Sequence, residues 1–218
     1  MATLAAVSVP ARSVGGDYFD FIDVGDKRIG IALADVSGKG VAAALIMASV
    51  QASLRILSSD ADISLPQLVT KMNRFLHDST GSNKYATFFY AQIDERGRQL
   101  RYVNAGHLPP YLLRSASAIQ ELSTGGSVIG LFPEMSYEEA TIDLQPGDVL
   151  VAFTDGVTEA MNRGEEEFGE ERLKELLQEI AGLSVDEISA RISHALKTWI
   201  DDAAQYDDLT FVVMKVSE

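Results

Sequence analysis

The 218-residue sequence contains no cysteine. A chain without cysteine has no disulfide framework, no thiolate metal site and no cysteine nucleophile, which fits a reducing compartment and excludes a cysteine-type phosphatase mechanism. Basic residues are also scarce, with 18 lysines and arginines against 32 acids and a net charge of −14. Because nucleic acid and anionic membranes would be repelled by this charge, we expect neither as a partner.

Uninterrupted hydrophobic runs of membrane-spanning length are also missing. The stretch from Val41 to Leu57 is rich in small apolar residues, but Ser49, Gln51 and Arg55 interrupt it. It therefore predicts a packed helix and not a membrane span. The first residues carry neither the basic segment of a signal peptide nor the glycine needed for myristoylation. We expect a cytoplasmic location.

The length and composition of the sequence predict a single domain over residues 1–218. A chain of this length with 46% hydrophobic residues can bury roughly 70% of its unfolded surface around one core. Periodicity and turn residues indicate strands and helices in alternating groups. The predicted strands are Asp17 to Val24, Arg28 to Asp35, Tyr85 to Ile93, Gln99 to Asn104, Pro110 to Arg114, Glu138 to Leu144, Val149 to Phe153 and Leu209 to Val216. The predicted helices are Gly40 to Ser58, Ser64 to Asp78, Glu170 to Ala181 and Val185 to Trp199.

This grouping predicts an α+β fold. Clustered strands favour antiparallel sheets, and paired helices favour a layer on each outer face of two packed sheets. We therefore expect four layers in the order helix, sheet, sheet, helix.

Aspartates occur beside the predicted strand ends, at Asp17, Asp35, Asp155 and the pair Asp207-Asp208. Carboxylates that converge from rigid strands repel each other unless cations lie between them. With three histidines, no paired histidine motif and no cysteine, oxygen ligands favour Mn²⁺ or Mg²⁺ over zinc. Two such ions would activate a water for in-line attack on a phosphoryl group, so no protein nucleophile is needed.

A glycine-rich segment, Gly38 to Ala43, matches the dinucleotide-binding pattern after a strand and before a helix. That fold needs a second parallel strand after the helix, whereas the segment from Ser64 to Asp78 predicts another helix. Gly38 and Gly40 more simply let the backbone turn behind Asp35 and let amides at the helix start face an anion, such as a substrate phosphate.

Five motifs together resemble a known family. They are Val14-Gly-Gly-Asp-Tyr-Phe-Asp20, Asp35-Val-Ser-Gly-Lys-Gly40, Asn104-Ala-Gly-His-Leu-Pro109, Thr154-Asp-Gly-Val-Thr-Glu159 and Asp207-Asp-Leu-Thr210. The chain resembles, from about Val7 to Val216, the bacterial metal-dependent serine/threonine phosphatases of the SpoIIE/RsbU type, which are PPM-type relatives of the type 2C phosphatases.

The resemblance implies a ligand set for two Mn²⁺ or Mg²⁺ ions. Asp35 would bridge both ions, and the Val36 carbonyl would help hold one of them. Asp155 and Asp207 would hold the second ion, which makes these two aspartates and Asp35 the expected catalytic residues. Asp17 resembles the family's N-terminal acidic residue, acting on a metal directly or through water.

Three further residues have open roles. Asp208 stands where type 2C relatives often carry asparagine, and a role in orienting Asp207 or capping the strand is favoured over metal ligation. Arg12 is either a surface residue or a partner for the substrate phosphate through its planar guanidinium. His107 is either a contributor to proton transfer or, more simply, a loop histidine bonded to nearby backbone; the general acid is unassigned.

The resemblance also implies a substrate and a context. The substrate would be a phosphoserine or phosphothreonine, most often on an anti-anti-sigma factor of the STAS type in a partner-switching pathway, with a sensor or activator domain in cis or in trans. Two other classes stay open: a phosphatase-fold module that binds without turnover, and a Ca²⁺ module. The latter is disfavoured because no twelve-residue calcium loop is present.

Overall fold

The computed structural model describes residues 2–80, 83–94, 98–115 and 118–217, and within these ranges it contains eleven strands and five helices. The strands are β1 (Ala2–Val9), β2 (Asp17–Asp23), β3 (Arg28–Val36), β4 (Ala86–Asp94), β5 (Gln99–Ala105), β6 (Tyr111–Ser115), β7 (Ala118–Glu121), β8 (Gly125–Gly126), β9 (Ala140–Asp143), β10 (Val149–Phe153) and β11 (Leu209–Val216). The helices are α1 (Val41–Ser58), α2 (Leu65–Ser79), α3 (Asp155–Thr158), α4 (Glu170–Ile180) and α5 (Val185–Ile200).

The strands form two sheets. The terminal sheet, which holds the first and last strands, has the order β1-β11-β10-β6-β7. The hairpin sheet has the order β2-β3-β4-β5-β8, with β9 also paired to β5. All of these pairings are antiparallel except the one between β5 and β8. β2 and β3 form an antiparallel hairpin, and each agrees with its predicted strand to within one residue.

Three apolar clusters separate four layers, which confirms the predicted helix/sheet/sheet/helix sandwich. The innermost cluster lies between the sheets and includes Leu33 and Phe89 from the hairpin sheet and Val212 from the terminal sheet. A second cluster joins the hairpin sheet to α1 and α2. The third joins the terminal sheet to α4 and α5. Burial of apolar surface on both faces of each sheet is the main force that holds the layers together.

Helix α1 has one buried ridge and one exposed apolar face. Val50 and Leu54 are buried against the hairpin sheet, whereas Val41, Leu45 and Ile56 are 69%, 66% and 71% exposed. Within the described ranges, α1 is the one helix long and apolar enough to cross a membrane by length and composition, and 22% of it is buried. Because a helix that packs on a sheet can pass the same test, this is weak evidence for a span.

The turn into α2 follows the sequence prediction. Ser64 is the N-cap: its hydroxyl accepts a hydrogen bond from the Gln67 backbone amide, and the Gln67 side chain accepts one from the Ser64 amide. This reciprocal pair satisfies two amides that the first turn would otherwise leave without partners. A second helix therefore follows α1 directly, as the argument against a dinucleotide fold required.

Candidate metal centre

The five aspartates lie beside strand ends at one edge of the sandwich. Asp17 begins β2 and Asp35 lies near the end of β3, directly opposite it in the antiparallel register. Asp155 is the first residue of α3, just after β10, and Asp207 and Asp208 immediately precede β11. Each sheet therefore contributes acids to the same region, because β10 and β11 are neighbours in the terminal sheet and β2 and β3 are neighbours in the hairpin sheet.

Glycines allow the backbones at this edge to approach closely. A Cβ atom on Gly156 would lie 2.1 Å from the carbonyl oxygen of Asp208, and one on Gly16 would lie 3.1 Å from the carbonyl oxygen of Val36. Any other residue at position 156 would push α3 away from the segment that carries the last two aspartates. Gly16 and Gly156 therefore leave the space that the neighbouring backbone occupies at the site.

Burial, with mutual repulsion as a further cause, raises the pKa values of three of these aspartates. Burial, followed by the charges of Asp17 and Asp155, raises the pKa of Asp35 to about 8. Burial also raises the pKa of Asp17 to about 7, against the opposing effect of hydrogen bonds from Thr210 and Thr154. Burial and the charge of Asp207 raise the pKa of Asp155. Partly buried carboxylates that disfavour their own ionisation are stabilised by a bound cation, so this donor set fits a hard divalent metal.

The side chains do not stand in a closed cage. In the described part of the chain, no group of three or more acidic or histidine side chains is gathered as a ready metal-binding cluster. One reason is that the carboxylates already have other partners. The Thr154 hydroxyl donates to Asp17 at 2.8 Å, and the Lys39 ammonium lies 2.7 Å from an Asp207 oxygen. These two carboxylates are therefore already held by other groups of the protein.

Asp208 makes backbone contacts with both of its carboxylate oxygens. One oxygen accepts a hydrogen bond from the amide of Ala11 and the other from the amide of Gly16, each at 2.8 Å. A Cβ atom on Gly15 would lie 2.2 Å from this carboxylate. Asp208 thus holds the segment that leads into β2, and these contacts support a positioning role over ligation.

The other predicted site residues lie around this edge. Val36 ends β3 and is buried, with its carbonyl oxygen facing Gly16. Gly38 and Gly40 have φ angles of 100° and 77°, in the region that favours glycine, and Gly40 is the N-cap of α1. Arg12 is exposed on the segment that Asp208 holds, and no hydrogen bond or ion pair fixes its side chain among the described residues.

His107 connects the two sheets beside the aspartates. Its Nε2 donates to the carbonyl oxygen of Phe153 at 3.1 Å, and its Nδ1 therefore accepts from the Thr87 hydroxyl at 2.8 Å. Its backbone amide donates to the Asn104 side chain. Burial lowers the pKa of His107 to about 4. Because both ring nitrogens of this buried histidine are hydrogen-bonded, the structure favours the simpler of its two interpretations.

Two clefts flank the aspartates. A cleft of about 600 Å³ is lined by Lys39, Asp207 and parts of the 159–165 and 202–207 loops. A smaller cleft of about 320 Å³ is lined by Asp35, Asp155 and residues 106–109. Glu159 lines both clefts. Lys39 and Glu159 lie within the motifs quoted above, but nothing in the sequence indicated that their side chains line these clefts.

The fold and this edge define a class of protein. Two packed antiparallel sheets covered by helix pairs, with aspartates from both sheets at one edge, are the architecture of a PP2C-type phosphatase domain. A solved structure of the RsbU and RsbW domains of a Mycobacterium tuberculosis protein superposes with a TM-score of 0.82 at 26% identity, covering 99% of this chain and 60% of that one.

Residues 25–217 match the family described as stage II sporulation protein E, SpoIIE. Phosphoserine phosphatase RsbU of Bacillus subtilis is 33% identical over 97% of this chain and 62% of its own length. Protein IcfG of Synechocystis is 32% identical over 96% of this chain and 37% of its own length. The chain belongs to the SpoIIE family. It spans less than two thirds of the length of these two relatives.

Proposed function

We propose that residues 1–218 are one catalytic domain that hydrolyses phosphoserine or phosphothreonine monoesters on a protein, with two Mn²⁺ or Mg²⁺ ions. The single observation that supports this most strongly is the set of mutually repelling aspartates at the edge shared by both sheets. Family membership supports the same reaction, since RsbU is a phosphoserine phosphatase.

The donor set favours a hard metal with oxygen ligands. Asp35, Asp155 and Asp207 would be the principal ligands, with Asp17 and the Val36 carbonyl as further oxygen donors. When bound, the ions supply an activated water and stabilise the charge that develops on the phosphoryl group. Burial is the main cause of the raised pKa values of Asp17 and Asp35, and these values support the assignment because a bound cation would favour the ionised form of each carboxylate.

The protein's own residues position the substrate and these ligands. Gly38 and Gly40 leave backbone amides near the start of α1, where an anion is favoured. Arg12 lies on the adjoining segment, and its unbonded guanidinium can pair with a phosphate. Asp208 holds that segment in place through the two amide hydrogen bonds described above. His107 bridges the two sheets through both ring nitrogens, and we assign it a structural role.

The substrate that best fits the family is a phosphorylated anti-anti-sigma protein of the STAS type in a partner-switching pathway. RsbU domains occur beside an RsbW domain in the solved Mycobacterium tuberculosis structure. An acidic, cytoplasmic domain with open clefts beside the metal ligands suits a protein substrate better than nucleic acid. Its activator would be a sensor domain in cis or in trans.

Hydrolysis of p-nitrophenyl phosphate by the purified chain tests the reaction. We expect turnover with Mn²⁺ or Mg²⁺ and none with chelator. Because Asp155→Asn removes a direct ligand, we expect it to lose at least the roughly 10- to 100-fold in activity that changes to outer-shell partners of metal ligands cause. Asp78→Asn is the matched control, since Asp78 is exposed at the end of α2.

Wild-type rates in Asp155→Asn would overturn the assignment of the site. Metal binding without turnover of this substrate or of a phosphoprotein would instead favour the binding-only module.

A further inference from the structure

Lys39 is the one basic side chain whose ammonium lies on a proposed metal ligand among the residues that the structure describes. Its Nζ is 2.7 Å from a carboxylate oxygen of Asp207. The same nitrogen donates to the carbonyl oxygen of Tyr206 at 2.8 Å. Lys39 therefore links the loop between β3 and α1, in the hairpin sheet, to the loop that leads into β11, in the terminal sheet.

The positive charge of Lys39 also acts on two neighbouring acids, Asp155 and Glu159. It favours the ionised forms of Asp155 and Glu159, opposing the effect of burial on both. A positive charge held beside three acids does part of what a bound cation would do. The residue is thus a counter-ion for the side of the site that Asp155 and Asp207 form.

The ammonium is free to leave. The Lys39 side chain is 46% exposed and that of Asp207 is 36% exposed, and the 600 Å³ cleft lies beside them. An exposed ion pair of this kind is worth about 0–1 kcal/mol, and lysine holds its charge on a flexible four-carbon stem. Displacement by a divalent ion is therefore feasible at little cost.

We propose that Lys39 is a tethered cation that competes with the second metal ion for the Asp207 carboxylate. It thereby sets the metal concentration at which that part of the site fills. The proposal deepens and rests on the proposed function, because it assigns Asp207 to a metal. A divalent ion on the Asp207 carboxylate repels the ammonium of Lys39 a few ångströms away, so occupancy by one weakens the binding of the other.

A purely structural clamp would behave differently. If Lys39 served only to hold the Asp207 loop in place, its removal would loosen a ligand, and metal affinity would fall. If Lys39 competes with the ion, its removal raises metal affinity. The two roles predict opposite changes, so a binding measurement separates them without an activity assay.

The experiment is a titration with Mn²⁺, following free Mn²⁺ by its electron paramagnetic resonance signal. We expect Lys39→Met to bind the weaker Mn²⁺ roughly two- to fivefold more tightly than wild type, the factor that corresponds to an exposed ion pair. Lys39→Arg keeps the charge and should stay near wild type. Lys197→Met, an exposed lysine of α5, is the control for the change in net charge.

If Lys39→Met binds Mn²⁺ with unchanged or weaker affinity, the competition is overturned. If the wild type binds Mn²⁺ and Asp155→Asn binds it more weakly, the proposed function still stands. If the wild type bound no Mn²⁺, the proposed function and the competition would fail together. Thermal melting of Lys39→Met, expected close to wild type, checks that the variant is folded.

Discussion

At the scale of single residues, glycines define the site as sharply as the aspartates do. Gly156 follows one proposed ligand, Asp155, and touches the backbone of the segment that carries another, Asp207. Its replacement changes no charge and removes no ligand. It therefore tests whether the placement of α3 against β11 matters independently of chemistry.

We expect Gly156→Ala to destabilise the fold by about 1–3 kcal/mol, the usual cost of forcing extra atoms into a packed site. The added Cβ would lie 2.1 Å from the Asp208 carbonyl oxygen, so the backbone must shift. Urea denaturation measures the free energy of unfolding. Gly182→Ala is the matched control because a Cβ there meets no atom within 4 Å; equal stabilities of the two variants would contradict the packing argument.

The sequence predicted the aspartates better than it predicted their partners. Carboxylates next to strand ends are visible in a sequence, because strand runs and turn residues can be read locally. The ion pair between Lys39 and Asp207 spans 168 positions and depends on how two loops meet. The same applies to the amide hydrogen bonds of Asp208, which join segments nearly 200 positions apart.

At the scale of elements, α1 shows how one helix can have two apolar faces with different consequences. Leu54 is fully buried against the hairpin sheet, and Leu45 is 66% exposed on the opposite face. Both are leucines in the interior of the same helix, so a change to alanine has the same effect on helix propensity. Only the packing differs.

We expect Leu54→Ala to lower the free energy of unfolding by about 2–5 kcal/mol, through lost burial and the cavity that remains. Leu45→Ala should change it by about 0.5 kcal/mol or less. Chemical denaturation of the two variants side by side provides the measurement. A large loss in Leu45→Ala would show that the exposed face of α1 is covered in solution.

Most elements were predicted to within a few residues, and β1, β7, β8 and α3 were missed because none of them carries a strong local pattern. β7 has four residues and is mostly exposed. β1 carries small residues and its burial does not alternate along the strand, so no period of two is present to read. β8 has two glycines and exists only through its parallel pairing with β5. α3 is a single turn whose helical state depends on packing against β11.

At the scale of the whole molecule, His107 joins the sheets through bonds that require its neutral form. Burial holds its pKa at about 4 in the folded state, below the ordinary value of 6.5. Between these two values the unfolded chain gains a proton that the folded chain does not accept. The contribution of this residue to stability is therefore complete above pH 6.5 and is lost as the pH falls towards 4.

We expect this effect to remove about 3 kcal/mol of stability between pH 6.5 and 4, at 1.36 kcal/mol per pKa unit. Glutamine cannot titrate, so the loss of stability of His107→Gln between pH 6.5 and 4 should be smaller than that of the wild type by the same amount. Denaturation with urea at several pH values, in wild type and variant, gives the two slopes. Parallel slopes would mean that the histidine takes up its proton in the folded state.

The pairing of the first strand with the last has a consequence for the order of events during synthesis. Asp207 and Asp208 lie just before β11, and β1 has no partner in its sheet other than β11 among the described strands. Until the segment that carries Asp207 and Asp208 has left the ribosome, only part of the proposed metal site is present. The aspartates of the two sheets meet only after β11 has emerged, so a translation product that stops before β11 carries no complete set of proposed ligands.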